Sequence, residues 1–275
     1  MDGRTKSKKS LYVWLIIIGV GLIMVIAGII AINCYGLDYY LPREDISRDF
    51  PGIGVNNISI DSNIGELVIN RSSDKDIHVE GKKLIKDSCT IEVNAELFSI
   101  KYKKSWADII NIPWVNNKSG TKLTVSLPDK IYDEFKFDGG VGENKISDLS
   151  CRNADIDCGV GNSIFENLLV TNIAEFDFGT GKSTFENCIL TESNFDIGVG
   201  NVEYSGKILG DTNIDCGVGK TEFNIDGYKD DYDIDYDKGV GDVKISGKIS
   251  GKSSFENKAK LNISGGVGEF IVNFK

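Results

Sequence analysis

The sequence predicts an all-β fold, a β-solenoid (β-helix) of about 19–22-residue coils, preceded by one N-terminal transmembrane α-helix. Three features predict it: an uncharged apolar run near the start, a Gly-x-Gly tripeptide that returns at near-constant spacing, and period-two alternation of apolar residues around each return. With 41% hydrophobic residues, 31 glycines and only 4 prolines, the chain is neither disordered nor collagen-like.

Residues 1–10 form a basic tail carrying Arg4, Lys6, Lys8 and Lys9. Leu11 to Ile32 follows without a charge, long enough as a helix to cross a hydrocarbon core of about 30 Å. Signal peptides have a shorter apolar region, and the exit "AINC" puts Asn33 where a lipoprotein signal wants a small residue before Cys34. An uncleaved single-pass anchor in the cell membrane is therefore expected. The basic tail places the N-terminus in the cytoplasm and the rest of the chain outside. Residues 33–52 read as a juxtamembrane linker and 53–275 as the extracytoplasmic solenoid. The net charge is −10 despite the basic tail, so the exported part is acidic and nucleic acid is not an expected partner.

The solenoid follows from the repeat. Gly-x-Gly copies begin at Gly140, Gly159, Gly179, Gly198, Gly217, Gly239 and Gly266, with flanks such as "IDCGVG", "FDIGVG" and "YDKGVG". Seven copies are not seven phosphate loops. Within "FDIGVGNVEY" the apolar residues Phe195, Ile197, Val199, Val202 and Tyr204 read as inward, and the glycines as corners where the chain bends or approaches its neighbour. Val199 thereby reads as one rung of a core ladder. A weaker copy, "IDSNIGELVI", places Asn63 77 residues before Gly140, a distance of four coils. Stacked coils set Cys158 and Cys216 about 14 Å apart, too far for a disulfide. No Cys-x-x-Cys is present and His78 is the single histidine, so neither a zinc site nor any other cofactor is expected.

The membrane helix, "ISIDSNIGELVI", "VSLPDKIYDEFKFDGGVGENKI" and the tandem I/F-D-x-G-V-G coils together resemble the bacterial "putative adhesin" domain family. The resemblance spans about residues 51–275. It implies a β-solenoid on the cell envelope, and some members accompany envelope-stress regulators. It brings no catalytic residues.

Several surface features are candidate contacts. The aspartates two before each glycine, Asp138, Asp157, Asp177, Asp196, Asp215 and Asp237, are expected to form an outward column. Such a column is either a solvated stripe or a cation contact. "YKDDYDIDYDK" sets Asp231, Asp233, Asp235 and Asp237 on one face, with no carboxylate distinguished as an acid. "KKSWADIINIPWVNNKSG" breaks the rhythm and carries Trp106 and Trp114, which either cap a solenoid end or stack on a ligand such as a sugar ring. The last strand, "GGVGEFIVNFK", reads as an uncapped edge through which copies of the chain would pair. Taken together, these features point to a non-catalytic, adhesin-like binding module whose partner is an envelope protein or wall polymer. Envelope-stress sensing through membrane signalling partners is the alternative, and a carbohydrate-active enzyme ranks behind both.

Overall fold

The computed structural model describes residues 42–63, 65–102, 120–237, 239–250 and 258–275. The expected transmembrane helix, Cys34, Trp106 and Trp114 lie outside these residues. Among the described residues no helix is long and apolar enough to cross a membrane. The described residues form fifteen strands: β1 Arg43–Pro51, β2 Asn57–Ser62, β3 Glu66–Arg71, β4 Asp76–Ile85, β5 Cys89–Asn94, β6 Leu97–Tyr102, β7 Lys122–Leu127 and β8 Ile131–Ser147. These are followed by β9 Ser150–Glu166, β10 Leu169–Ile208, β11 Thr212–Ile225, β12 Tyr232–Asp237, β13 Val240–Gly247, β14 Ala259–Ser264 and β15 Val267–Phe274.

Each repeat is one layer: a first arm, a Gly-x-Gly corner and a second arm. Layers pair in parallel and in register, so like stacks on like. Asp138 faces Asp157, Gly142 faces Gly161 and Ile146 faces Phe165 between β8 and β9. The same match runs from β9 to β10 and from β10 to β11.

The layers do not stack in chain order at either end. At the C-terminal end, β14 pairs with β11 on one side and β12 on the other, and β15 lies likewise between β11 and β13. The last layer is thus inserted beneath the one that precedes it in sequence. The expected free edge at "GEFIVNF" is therefore wrong: β15 is paired on both sides, and the outermost layer is β12–β13. At the other end β2 and β3 pair directly with β8, while β6 and β7 lie outside them. Asn63 therefore sits one layer from Gly140, not four coils away, and a Cβ built on Gly140 would lie 1.6 Å from its Oδ1.

Beyond β6–β7 the pairing changes sense. Strands β4 and β5 run antiparallel to β7 and β6, and β1 runs antiparallel to β4. Residues 43–51, read as linker from sequence, are thus a strand of the sheet. These antiparallel strands end the parallel stack, the task one sequence reading gave to the tryptophan insertion. His78 joins β1 to β4: its Nδ1 lies 2.7 Å from Asp49 on β1 and its Nε2 2.9 Å from Asp74. These carboxylates raise the His78 pKa above its ordinary value. The stability it adds is full below about pH 6.5 and fades as pH rises through the raised value. The denaturation midpoint of the wild type should therefore exceed that of His78→Gln most at pH 5.5–6.5, and the gap should close by pH 8.5. A gap independent of pH would refute this.

The core is a ladder of large side chains. The column Ile146, Phe165, Phe185, Tyr204, Phe223, Val272 and Ile245, each six residues after the first glycine of its Gly-x-Gly, lies along one side of the interior. Phe165 and Phe185 stack at 4.4 Å, Tyr204 and Phe223 at 5.2 Å, and Phe176 and Phe195 at 4.8 Å. The hydroxyl of buried Tyr204 donates to the carbonyls of Lys207 at 2.8 Å and Cys188 at 3.1 Å, which makes its burial tolerable.

The corner valine is not in this core. Val199 is 51% exposed, while Ile197 and Val202 are buried. The chain turns at Gly198–Gly200, so alternation loses its phase there and Val199 points outward. Val141, Val160 and Val218 share that outward position. The sequence expectation of a core rung at Val199 fails because strict alternation does not survive a corner.

Candidate functional site

The described surface is organised in columns, one residue per layer. The acidic column is real and longer than expected at its N-terminal end: Asp61, Asp138, Asp157, Asp177, Asp196 and Asp215 are all exposed. It begins next to Lys101 and stops at Ser264. Asp237 does not continue it, because inserted Ser264 stands between Asp215 and Asp237. Partial burial, then the charges of Asp138 and Asp177, raise the Asp157 pKa. Among the described residues, no three His, Cys, Asp or Glu side chains are grouped as a metal site. The column offers one carboxylate per layer along a line.

Beside it runs an asparagine ladder that sequence reading overlooked. Asn213 Nδ2 donates to Asn194 Oδ1 at 2.8 Å and Asn262 to Asn213 at 2.9 Å, in the column that holds Asp155 and Glu175 in earlier layers; Asn172 donates to Asn153 at 2.7 Å in a separate column. A second ladder marks another corner, where Asn187 donates to Asn167 at 2.7 Å and Asn167 to Asp148 at 2.8 Å. These three residues have φ of 54°, 54° and 56°, the left-handed region that Asn and Asp tolerate best among residues with a side chain. Their signal was present in the sequence as asparagines recurring at the coil spacing.

Acid–base pairs also link layers. Lys145 contacts Glu166 at 2.7 Å, Lys182 contacts Glu203 at 2.9 Å and Lys122 contacts Glu66 at 2.6 Å. Lys136 pairs with Asp155 and Arg152 with Asp133 in the same manner. Exposed as they are, such pairs add little stability each; they favour one register of neighbouring layers over another.

The interior leaves no room for a substrate at the corners. Two cavities under the Gly-x-Gly turns, lined by groups such as Ser163, Phe178 and Thr221, have volumes of about 10 and 20 Å³, room for a water molecule. Cys151 and Cys158 are free thiols pushed up to about 12 by burial, and Cys216 is a free thiol pushed up to about 11. Cys158 and Cys216 lie three layers apart, as the spacing predicted. Such thiols stay protonated near neutral pH and act as small core residues.

Strands β6 and β7 are the two arms of one layer, so the intervening chain with Trp106 and Trp114 stands in sequence where other layers have Gly-x-Gly. The seven expected corner glycines Gly140, Gly159, Gly179, Gly198, Gly217, Gly239 and Gly266 all lie at these corners or immediately beside β13 and β15. A Cβ on Gly198 would lie 2.4 Å from the carbonyl oxygen of Gly179. A nucleotide has no cradle in turns whose amides and carbonyls are stacked on each other.

The family model described as Toastrack DUF4097 matches residues 55–272, nearly the whole stack of layers. The chain belongs to this family. The Toastrack chain is also similar in fold to a "putative adhesin" from Bacteroides fragilis, at 19% identity and a TM-score of 0.50, covering 84% of this chain and 98% of that one. A "putative adhesin" from Parabacteroides distasonis matches at 14% identity and a TM-score of 0.44, covering 85% and 98%. A "putative cell adhesion protein" from Clostridium sporogenes matches at 17% identity and a TM-score of 0.36, covering 85% and 100%. No curated protein matches the Toastrack chain.

Proposed function

We propose that this Toastrack protein is a non-catalytic binding module, anchored in the cell membrane by residues 11–32 and displayed on the outer side, where it contacts wall polymer or another envelope protein. The observation that carries this reading is the filled interior. Aromatic and aliphatic side chains pack the layers from Phe135 to Phe274, leaving recognition to the outer columns, the ends and the insertion at residues 103–119. The charge-free run before the domain and the basic tail support the anchor and its orientation. Similarity to proteins named as adhesins agrees with a binding role.

Trp106 and Trp114 are the proposed ligand contact, since their flat apolar faces suit stacking on sugar rings. Pull-down of the full chain, purified in mild detergent, on isolated wall polymer tests this. Trp106→Ala and Trp114→Ala should each reduce retention severalfold without lowering the melting temperature. Retention unchanged in both would eliminate the insertion as the contact.

A further inference from the structure

The outermost layer at the C-terminal end, β12–β13, pairs on one side only. Strand β12 is joined to β14 and β13 to β15, and among the described residues no strand lies beyond them. Parallel strands are otherwise found inside stacks, with both edges satisfied, as the layers of β8, β9, β10, β11 and β14–β15 are here. The core also comes to the surface at this end. Ile234, Val243 and Ile245 pack against the interior but are only partly buried, and Tyr236 and Val240 are 53% and 74% exposed.

The chemistry of this edge is unlike that of the layers behind it. The outward side chains of β12 are Asp233, Asp235 and Asp237, all exposed. Among the described residues none of these three has an ion-pair partner. Elsewhere layers are joined by setting a base in one against an acid in the next, as in Lys182–Glu203 and Lys244–Glu269. The residue behind Asp233 is Lys260, but Asn262 and Ser264 stand behind the other two. The next layer outward would complete the pattern if it brought bases.

We infer that β12 is a docking edge for an extended basic peptide from another protein, one that carries Lys or Arg at every second position and apolar residues between. Added as a further parallel strand, it would place its side chains about 4.8 Å from those of β12. Its bases would meet Asp233, Asp235 and Asp237, and its apolar residues would cover Ile234 and Tyr236. A second copy of this chain suits the edge poorly. Two β12 strands brought together would oppose three carboxylates with three more, which destabilises cross-strand pairs. This docking goes beyond the wall-binding role proposed above and does not depend on it.

The test uses the full chain in mild detergent and a fluorescent hexapeptide, Lys-Ile-Lys-Val-Lys-Tyr, followed by anisotropy. Controls are the acidic counterpart, Glu-Ile-Glu-Val-Glu-Tyr, and a peptide of the same composition with its lysines clustered. The alternating basic peptide should bind, and binding should weaken as salt is raised from low to physiological strength. Asp235→Ser with Asp237→Ser should weaken it about tenfold, in line with loss of complementary charges at an interface. Asp235→Lys with Asp237→Lys should abolish it and gain binding of the acidic peptide. That gain of function separates lost recognition from lost folding. No binding by the wild type, equal binding of the clustered peptide, or indifference to both double variants would overturn the inference. So would sedimentation showing the chain to dimerise through this edge, with dimers lost in the Asp235→Lys, Asp237→Lys variant.

Discussion

Gly200→Ala should unfold the middle layers of the stack. The glycine has φ of 148°, a region that residues with a side chain rarely enter. Its missing Cβ would also fall 1.8 Å from the carbonyl oxygen of Gly181 in the neighbouring layer. The first problem alone costs about 1–3 kcal/mol. The second is a collision of the added Cβ with a backbone that is not free to move, because Gly181 is itself packed so closely on Gly161 that a Cβ built on it would meet that carbonyl oxygen at the same 1.8 Å. A total loss above about 3 kcal/mol is expected, among the larger effects of single substitutions. Thermal unfolding followed by circular dichroism measures it. The informative companion is Val199→Thr, one residue away. Val199 is half-exposed and threonine keeps its branching, so the change should stay within about 0.5 kcal/mol. If the valine substitution proved as damaging as the glycine one, the corner geometry described here would be wrong.

Phe185→Ala should be the most costly core truncation. Phe185 is 1% exposed and touches aromatic rings in its own layer and on either side. It stacks on Phe165 at 4.4 Å, meets Phe176 edge-on at 5.0 Å and Phe195 at 5.8 Å, and lies 5.7 Å from Tyr204. Those neighbours are fixed by their own backbone ladders, so they cannot collapse into the hole. A loss of about 3–5 kcal/mol is expected. For a domain of this size that lowers the melting temperature by about 10 °C. Hydrogen exchange should show the loss in the layers of β9 and β10 first, since each layer of a stacked array contacts only its neighbours. Uniform loss of protection from β2 to β15 would argue against that local picture.

The repeat unit was plain in the sequence, and so were its inward column and the aspartate beside each corner. Period-two alternation and a 19-residue return are local properties, and a layer is a local object. The failures share one cause, that sequence order is not stacking order. Gly-Val-Gly at 266–268 looked terminal because it comes last, yet Ser264 and Asn262 carry the evidence for its true place. Asn262 extends the ladder from Asn194 and Asn213, whereas the sixth repeat has Asp235 at that position and would break it. A side-chain ladder is therefore a better guide to adjacency than chain position. The corner valine failed for a different reason: two glycines relax the backbone enough to slip the phase of alternation. Of the candidate site, the acidic column was legible, but the open edge at β12 was not, since it exists only because β14 and β15 fill the layer beneath.

That insertion also dictates an order of events. Strands β11 and β12 are made one after the other, but they do not pair; the strands that lie between them, β14 and β15, are made after both. The aromatic stack from Phe165 to Phe223 can assemble layer by layer as the chain emerges. Layer β12–β13 cannot follow that rule and must wait beside an unfinished neighbour until residues 259–274 arrive. A ribosome stalled before residue 259 would hold a nascent chain whose β12–β13 layer is unsupported, so that layer is made before the one it rests on.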